Sequence, residues 1–197
     1  MQIVEKELCE VADVIAGANG LSESGKFAYQ VVQPNSFSES GELGELVTQY
    51  KSDEASPEQI LQNGDILFKR LNPSFVYIVD NFCGPTVASP NLLVIRPKAD
   101  TDPAYLGYLM EQKDITGQIE HVSGNSAAIK AVSIKKLMGI NVPVPSIEQQ
   151  RMIGELWRLS KRRKQLLMEY INESDRLMSV MSTQLIKRGG KNNGNTI

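Results

Sequence analysis

Val142-Pro143-Val144-Pro145-Ser146-Ile147-Glu148-Gln149-Gln150 divides this chain into two kinds of sequence. All nine prolines lie at or before Pro145, and between Ser146 and Arg188 the only glycine is Gly154. Proline lacks a backbone donor and turns the residue before it away from helix, so Pro143 and Pro145 force an extended entry. Ser146 then has the character of an N-cap, and Gln149 completes an S-x-x-Q capping box. The junction predicts a proline-punctuated head that ends at residue 145. A single long helix follows over 146–188, and a polar, glycine-rich tail over 189–197 is expected to be disordered.

Working back from the junction, the head reads as mixed α+β and strand-rich. A first helix is expected around 6–14, where Leu8, Val11 and Ile15 sit at helical spacing. Strands are expected over 27–33, 45–50, 65–70, 75–79, 92–96 and 139–142, from their β-branched and aromatic content. Ser56-Pro57-Glu58-Gln59 predicts a short helix stopped by Asn63-Gly64. Asp102-Pro103 opens another helix with Tyr105, Leu106, Leu109 and Met110 on its apolar face, and Ser133 caps a brief turn through Leu137.

Working forward, the helix carries an apolar seam. Ile153, Leu156, Trp157, Leu167, Tyr170, Ile171, Leu177, Met178, Met181 and Leu185 recur at 3.5-residue spacing, with polar breaks near Ser160–Lys164 and at Ser174. A helix of this length spans about 60 Å, too long for its own head to cover. No turn residues favour a hairpin between 160 and 188, so the extended form with a partner helix is expected.

The 197 residues suit one domain with an appendage, and 41% hydrophobic with 22% charged residues is ordinary composition for a soluble protein. No apolar run is long enough to span a bilayer, and Met1–Glu7 does not read as a secretory signal. Cys9 and Cys83 are isolated, which fits a reducing, cytoplasmic setting. The net charge of −2 hides a gradient of −8 over 1–60, +1 over 61–146 and +5 over 147–197. A polyanion would be drawn to the last segment and repelled by the first.

Catalytic signatures are missing. The sequence has no phosphate-binding glycine loop, no G-x-S-x-G elbow and no H-E-x-x-H pair, and His121 is its only histidine. No enzyme, metal site or cofactor is expected. Polar stretches do fall where loops should lie, at 33–36, 69–72, 123–126 and 130–136. Arginine and lysine contact phosphates and guanine edges, whereas asparagine and glutamine bond adenine. Within or beside these stretches, Gln33, Asn35, Ser36, Lys69, Arg70, Asn72, Asn125, Ser126 and Lys130 are the residues that would contact bases or phosphates if the chain is the DNA reader that the resemblance described below implies. The same residue types are ordinary in any solvated loop. The acidic segments 1–20 and 39–58 are expected to face away from a duplex.

Several motifs in order resemble one family. Asn63-Gly64-Asp65-Ile66-Leu67-Phe68-Lys69-Arg70 is similar to the G-D-I-L-F-x-R segment of the target recognition domain in type I restriction-modification specificity subunits. Ala88-Ser89-Pro90 with Leu92–Pro97, Asp102–Leu106, Ser133–Leu137, Ile140–Pro145, Ile147–Ile153 and Met181–Ile186 extend the resemblance over nearly all of residues 5–188. It implies a non-catalytic reader of double-stranded DNA that docks methyltransferase (modification) and restriction subunits. Full-length members carry two recognition domains and two long helices, whereas this chain holds one of each. Two copies paired antiparallel through the helix, as an intermolecular coiled coil, would restore that arrangement and read a bipartite site. Whether the chain is a natural half-subunit or a piece of a longer protein stays open in the sequence. A protein-interaction scaffold that oligomerises through the helix is the alternative from another class.

Overall fold

Ile66-Leu67-Phe68 and Leu92-Leu93-Val94-Ile95 have no polar side, and every one of these residues is buried. They form the centre of the first of two compact units, Met1–Arg158 and Leu159–Ile197. The computed structural model describes residues 3–38, 41–70, 76–123 and 132–191. In chain order the first unit contains β1 (Val4–Glu7), α1 (Leu8–Val11), β2 (Ala12–Ala16), β3 (Phe27–Val32) and β4 (Val47–Lys51). It continues with β5 (Ile66–Lys69), β6 (Val76–Ile78), β7 (Thr86–Ala88), β8 (Leu92–Pro97) and α2 (Pro103–Met110). Then come α3 (Lys113–Ser123), α4 (Ile134–Met138) and β9 (Asn141–Val144), and the helix α5 (Ile147–Lys191) begins in this unit. Pro34–Ser36 and Pro57–Gln59 are single 3-10 turns.

One sheet has the order β2-β8-β5-β6, with antiparallel neighbours throughout. Its Ile66, Phe68, Leu93 and Ile95 pack with Leu8, Leu106, Met110, Ile119 and Leu137 from the helical side. The alternate residues Leu67, Leu92 and Val94 pack with Val32 and Ala88 of a second sheet, ordered β4-β3-β7. Alternation of side chains across the strand thus feeds two cores from one sheet, which is why β5 and β8 lack a polar face.

The predicted mixed, strand-rich head and single long helix are both present. The helix expected at 6–14 is not: only one turn forms, at Leu8–Val11, between two strands. Val4–Glu7 pairs with β9, and Ala12–Ala16 pairs with β8 from Ala12↔Pro97 to Ala16↔Leu93. Ladder bonds to distant strands override the local periodicity. Strand β7 and helix α3 were not anticipated; β7 is a three-residue strand and α3 a largely polar helix. Pro143 sits in β9, which among the described residues pairs with β1 alone, where a missing donor is tolerated.

The junction closes as its sequence dictates. The Ser146 amide donates to Gln149 Oε1 at 3.3 Å, and the Gln149 amide donates to Ser146 Oγ at 3.4 Å. The first turns of α5 are bound into the first unit. Gln150 is 2% exposed; its Oε1 accepts from the Asp102 amide, and its Nε2 donates to the carbonyl of Pro145. Gly154 lets the backbones approach, since a Cβ there would lie 2.6 Å from Asp102 Oδ1 and 2.9 Å from the Tyr105 nitrogen. Trp157 Nε1 donates to Glu111 Oε2 at 3.0 Å, and its ring lies over Gly107 of α2. The first compact unit therefore runs to Arg158 rather than stopping at 145. Helix α5 continues through Lys191, into the stretch expected to be a disordered tail, while 192–197 lie outside the described residues.

Candidate nucleic-acid interface and the exposed helix face

The motif Asn63–Arg70 has two ends with different chemistry. At the first, Gly64 has φ +89 and Asp65 is 1% exposed. Arg96 Nε donates to Asp65 Oδ1 and Nη2 to Oδ2, both at 2.7 Å, and Nη2 also reaches the Ile60 carbonyl. The hydrogen bond to Asp65 raises the Arg96 pKa above its ordinary value, against the opposing effect of burial. The Gln62 amide donates to Asp65 Oδ2, and the Val79 amide donates to the Asp65 carbonyl. This two-pronged pair joins β5, β8 and the turn before β5, and Asp65 has no surface to offer a ligand.

At the second end the strands open into loops. The Ser89 amide donates to the Val32 carbonyl at 2.8 Å, which ties the end of β3 to the turn between β7 and β8. The Arg70 amide donates to the Asn91 carbonyl at 3.0 Å, and the Val132 amide donates to the Arg70 carbonyl at 2.9 Å. Gln33–Ser36, Ser89–Asn91, Lys69–Arg70 and the chain re-entering at Val132 are thereby gathered at one end of the two sheets. Asn35 and Arg70 are exposed there, whereas Gln33, Ser36 and Lys69 are half-buried. Gln33 and Ser36 cap the 3-10 turn reciprocally, with the Gln33 amide donating to Ser36 Oγ at 3.1 Å. Their polar groups therefore shape the loop that presents Asn35. Asn72, Asn125, Ser126 and Lys130 lie outside the described residues.

Two residues at this end were absent from the sequence-based set. Pro90 and Asn91 are exposed between the β3 loop and Arg70. Their signal was the Ser-Pro-Asn cluster between two apolar runs, a turn signature with no charge to draw notice. Ser89 Oγ is buried and has no hydrogen-bond partner among the described residues. Beneath it, Gly17 is pressed so closely that a Cβ would meet the Ser89 carbonyl.

The acidic stretches are not all remote from this end. Phe37 bridges Leu43, the Glu42 amide donates to Ser38 Oγ, and the Gly44 amide donates to the Ser36 carbonyl. The 41–44 segment therefore folds beside the Asn35 loop and brings exposed Glu42 toward it. Within 1–20, Gly17 and Ala18 reach this end through bonds to Leu92 and Ala88, but they carry no charge. Asp13 lies opposite Arg96 in the ladder, toward the closed end.

The expected dimerisation residues separate into two sets. Ile153 packs against the helical core and Trp157 bonds Glu111, so both are half-buried against the first unit, unlike the exposed residues of the seam. Leu156, Leu167, Tyr170, Ile171, Leu177, Met178, Met181 and Leu185 are exposed. Met152, Leu159 and Leu166 are exposed as well and extend that stripe. At about 100° per residue, the face of buried Gln150 and Gly154 and half-buried Trp157 stands roughly a third of a turn from the exposed stripe. A 3.5-residue count merged these two faces.

Among the described residues no group of three or more potential metal ligands occurs, and no helix is long and apolar enough to cross a membrane. His121 is an exposed residue of α3.

Known proteins place this architecture. The family model described as type I restriction modification DNA specificity domain matches residues 3–167. No curated protein matches. Among solved structures, a chain from work on complex assembly and conformational transition of the type I R-M system superposes with TM-score 0.66 at 15% identity, over 94% of this chain and 45% of that one. The HsdS subunit from Thermoanaerobacter tengcongensis gives TM-score 0.61 at 19% identity, over 93% and 47%. The type I restriction-modification S subunit from M. genitalium gives 0.59 at 13%, over 94% and 46%. This chain thus spans less than half the length of each. At these identities the superpositions speak to the fold, and the family model, which covers most of the sequence, gives the membership: the chain belongs to the type I restriction modification DNA specificity domain family.

Proposed function

We propose that this chain is a sequence-specific reader of double-stranded DNA, serving as the specificity component of a type I restriction-modification complex without catalysing a reaction itself. The observation that carries the reading is the gathering of Gln33–Ser36, Ser89–Asn91 and Lys69–Arg70 at one end of the sheets, tied together by backbone bonds. Loops held by a rigid scaffold suit base readout, with Arg70 and Lys69 supplying charge toward phosphate or guanine and Asn35 and Asn91 supplying amides toward adenine. With one head and one long helix, two copies joined through the exposed stripe would read two half-sites, and the assembled helices would offer a platform to modification and restriction subunits.

The test is DNA retention by the full chain beside Lys69→Ala/Arg70→Ala, measured by fluorescence anisotropy on duplexes selected from a random library, across a salt series. The double variant is expected to bind more weakly on every sequence and to lose about one unit of salt slope for each phosphate contact removed. Unchanged retention with intact self-association would instead favour the protein-interaction scaffold. Sequence-independent methylation in the presence of a modification subunit would overturn the reading.

A further inference from the structure

Four backbone hydrogen bonds hold the segments at the open end of the sheets in a fixed succession. The Gly44 amide donates to the Ser36 carbonyl, and the Ser89 amide donates to the carbonyl of Val32, one residue before Gln33. The Arg70 amide donates to the Asn91 carbonyl, and the Val132 amide donates to the Arg70 carbonyl. Segment 41–44 therefore lies beside the Asn35 loop, that loop beside the Ser89–Asn91 turn, the turn beside Lys69–Arg70, and Lys69–Arg70 beside the chain that enters α4.

The chemistry changes along this succession. Residues 33–46 contain Glu39, Glu42 and Glu45 and no base, whereas residues 124–137 contain Lys130, Lys135 and Lys136 and no acid. Glu42 is exposed at the first edge, Asn35 and Asn91 are exposed in the middle, and Arg70, Lys135 and Lys136 are exposed at the last. Lys135 stands three residues past Val132, at most about 10 Å of chain beyond the residue that bonds Arg70. Helix α4 is a firm mount for it. Val132 is buried, Leu137 is fully buried, and the Ile140 carbonyl accepts from the Leu8 amide. No ion pair among the described residues engages Lys135.

A duplex presented to this end meets attraction at one edge and repulsion at the other. Phosphate contacts fix register and orientation and carry no sequence information, whereas side-chain amides read base edges. Resting on the DNA-reading function above, we propose that the open end grips the duplex from one side, with Lys135 and Lys136 extending the basic edge of Lys69 and Arg70 to hold phosphates of one strand. Asn91 and Asn35 are thereby set against the base edges, and Glu42 keeps phosphate from the opposite edge. The lysine pair of α4 governs affinity and pose, and the amides govern preference among sequences.

The test is binding by full-length chains, measured by fluorescence anisotropy over a salt series. The probes are a duplex selected from a random library and its scrambled counterpart. Lys135→Gln/Lys136→Gln should weaken both duplexes by the same factor and lower the salt slope by about two units. Its deficit against the parent should therefore shrink about tenfold between about 50 and 200 mM salt. Lys135→Arg/Lys136→Arg keeps the charge and should keep the parent's slope. Lys135→Gln alone should lose about one unit, and it serves if the pair disturbs α4. Glu42→Gln should tighten the scrambled duplex and narrow its gap to the selected one. A glutamine pair with the parent's slope, or one that loses affinity for the selected duplex alone, would overturn the one-sided grip while leaving a DNA reader standing. So would a Glu42→Gln chain that binds scrambled DNA no tighter than the parent. A parent chain that retains no duplex at any salt would overturn the reading function as well.

Discussion

The two residues that flank β5, Asp65 and Arg70, are separated by its four residues and have opposite fates. At Asp65 every polar atom is committed: a two-pronged arginine, two backbone amides and 1% exposure leave nothing for a ligand. At Arg70, among the described residues, the bonds given are those of the backbone, to Asn91 and Val132, and the side chain is exposed. The Gly-Asp-Ile-Leu-Phe stretch that carries the family resemblance therefore marks a structural joint, and the proposed reading chemistry begins where the stretch ends. The same contrast recurs on α5, where Gln150, Gly154 and Trp157 are bound into the first unit while Met152, Leu156 and Leu159 stay open.

The sharpest way to break the comparison is to cut each end of β5. Asp65→Ala leaves the Arg96 guanidinium partly buried without its anion, and loss of one partner from such a pair costs about 3–5 kcal/mol. The midpoint of urea unfolding should fall accordingly, and Arg96→Ala should fall with it. Arg70→Ala should unfold within about 0.5 kcal/mol of the parent, since no folded-state role is assigned to its exposed side chain. Equal losses at the two ends would dissolve the distinction and return Arg70 to the scaffold.

A second pair of substitutions sharpens the contrast between helices at nearly equal chemistry. Alanine is favoured over glycine inside a helix by about 1 kcal/mol. At Gly154 that gain is opposed by a Cβ that would lie 2.9 Å from both Ala104 Cβ and the Tyr105 nitrogen, and overpacking of this kind costs roughly 1–3 kcal/mol. Gly117 of α3 has open space where its Cβ would go. Gly154→Ala should therefore lower the thermal midpoint, and Gly117→Ala should raise it. A rise at both positions would mean that the first turns of α5 are not pressed against Asp102 and Ala104.

These cases also show what could be read before the fold was known. The junction at Pro143–Ser146 was legible because proline and a capping box act within a few residues, and the structure holds both the extended entry and the reciprocal cap. Strands β5 and β8 were legible from unbroken apolar runs. The 6–14 segment was misread because its outcome is decided by β9 and β8, more than eighty residues away. On α5 the spacing of leucines cannot say which apolar residues face Gly107 and which face outward, so Ile153 and Trp157 were grouped with an open stripe they do not share. At the candidate interface charge and amide content drew attention to Lys69, Arg70 and Asn35, but the closeness of Asn91 depends on the Arg70–Asn91 backbone bond, which leaves no mark in the sequence.

Glu148 sharpens the comparison from the other side, because it is exposed and yet tied to the fold. It lies in the first turn of α5, and its carboxyl is held below its ordinary value of 4.5, first by its own backbone amide and then by the Ser146 hydroxyl. A carboxylate at a helix N-terminus gains from the unpaired amides there. The direction of the shift fixes the sign of the pH effect. Above pH 4.5 the group is ionised in both folded and unfolded chains, and its stabilising contribution is fully present. As the pH drops below 4.5 the unfolded chain takes up the proton first, and the contribution is lost as the folded carboxyl is titrated in turn. Glu148→Gln should therefore melt below the parent at pH 7 by a small margin that narrows steadily toward pH 3. Parallel melting profiles across that interval would show that the carboxylate contributes nothing to the cap, and that the amide–hydroxyl exchange between Ser146 and Gln149 closes the helix alone.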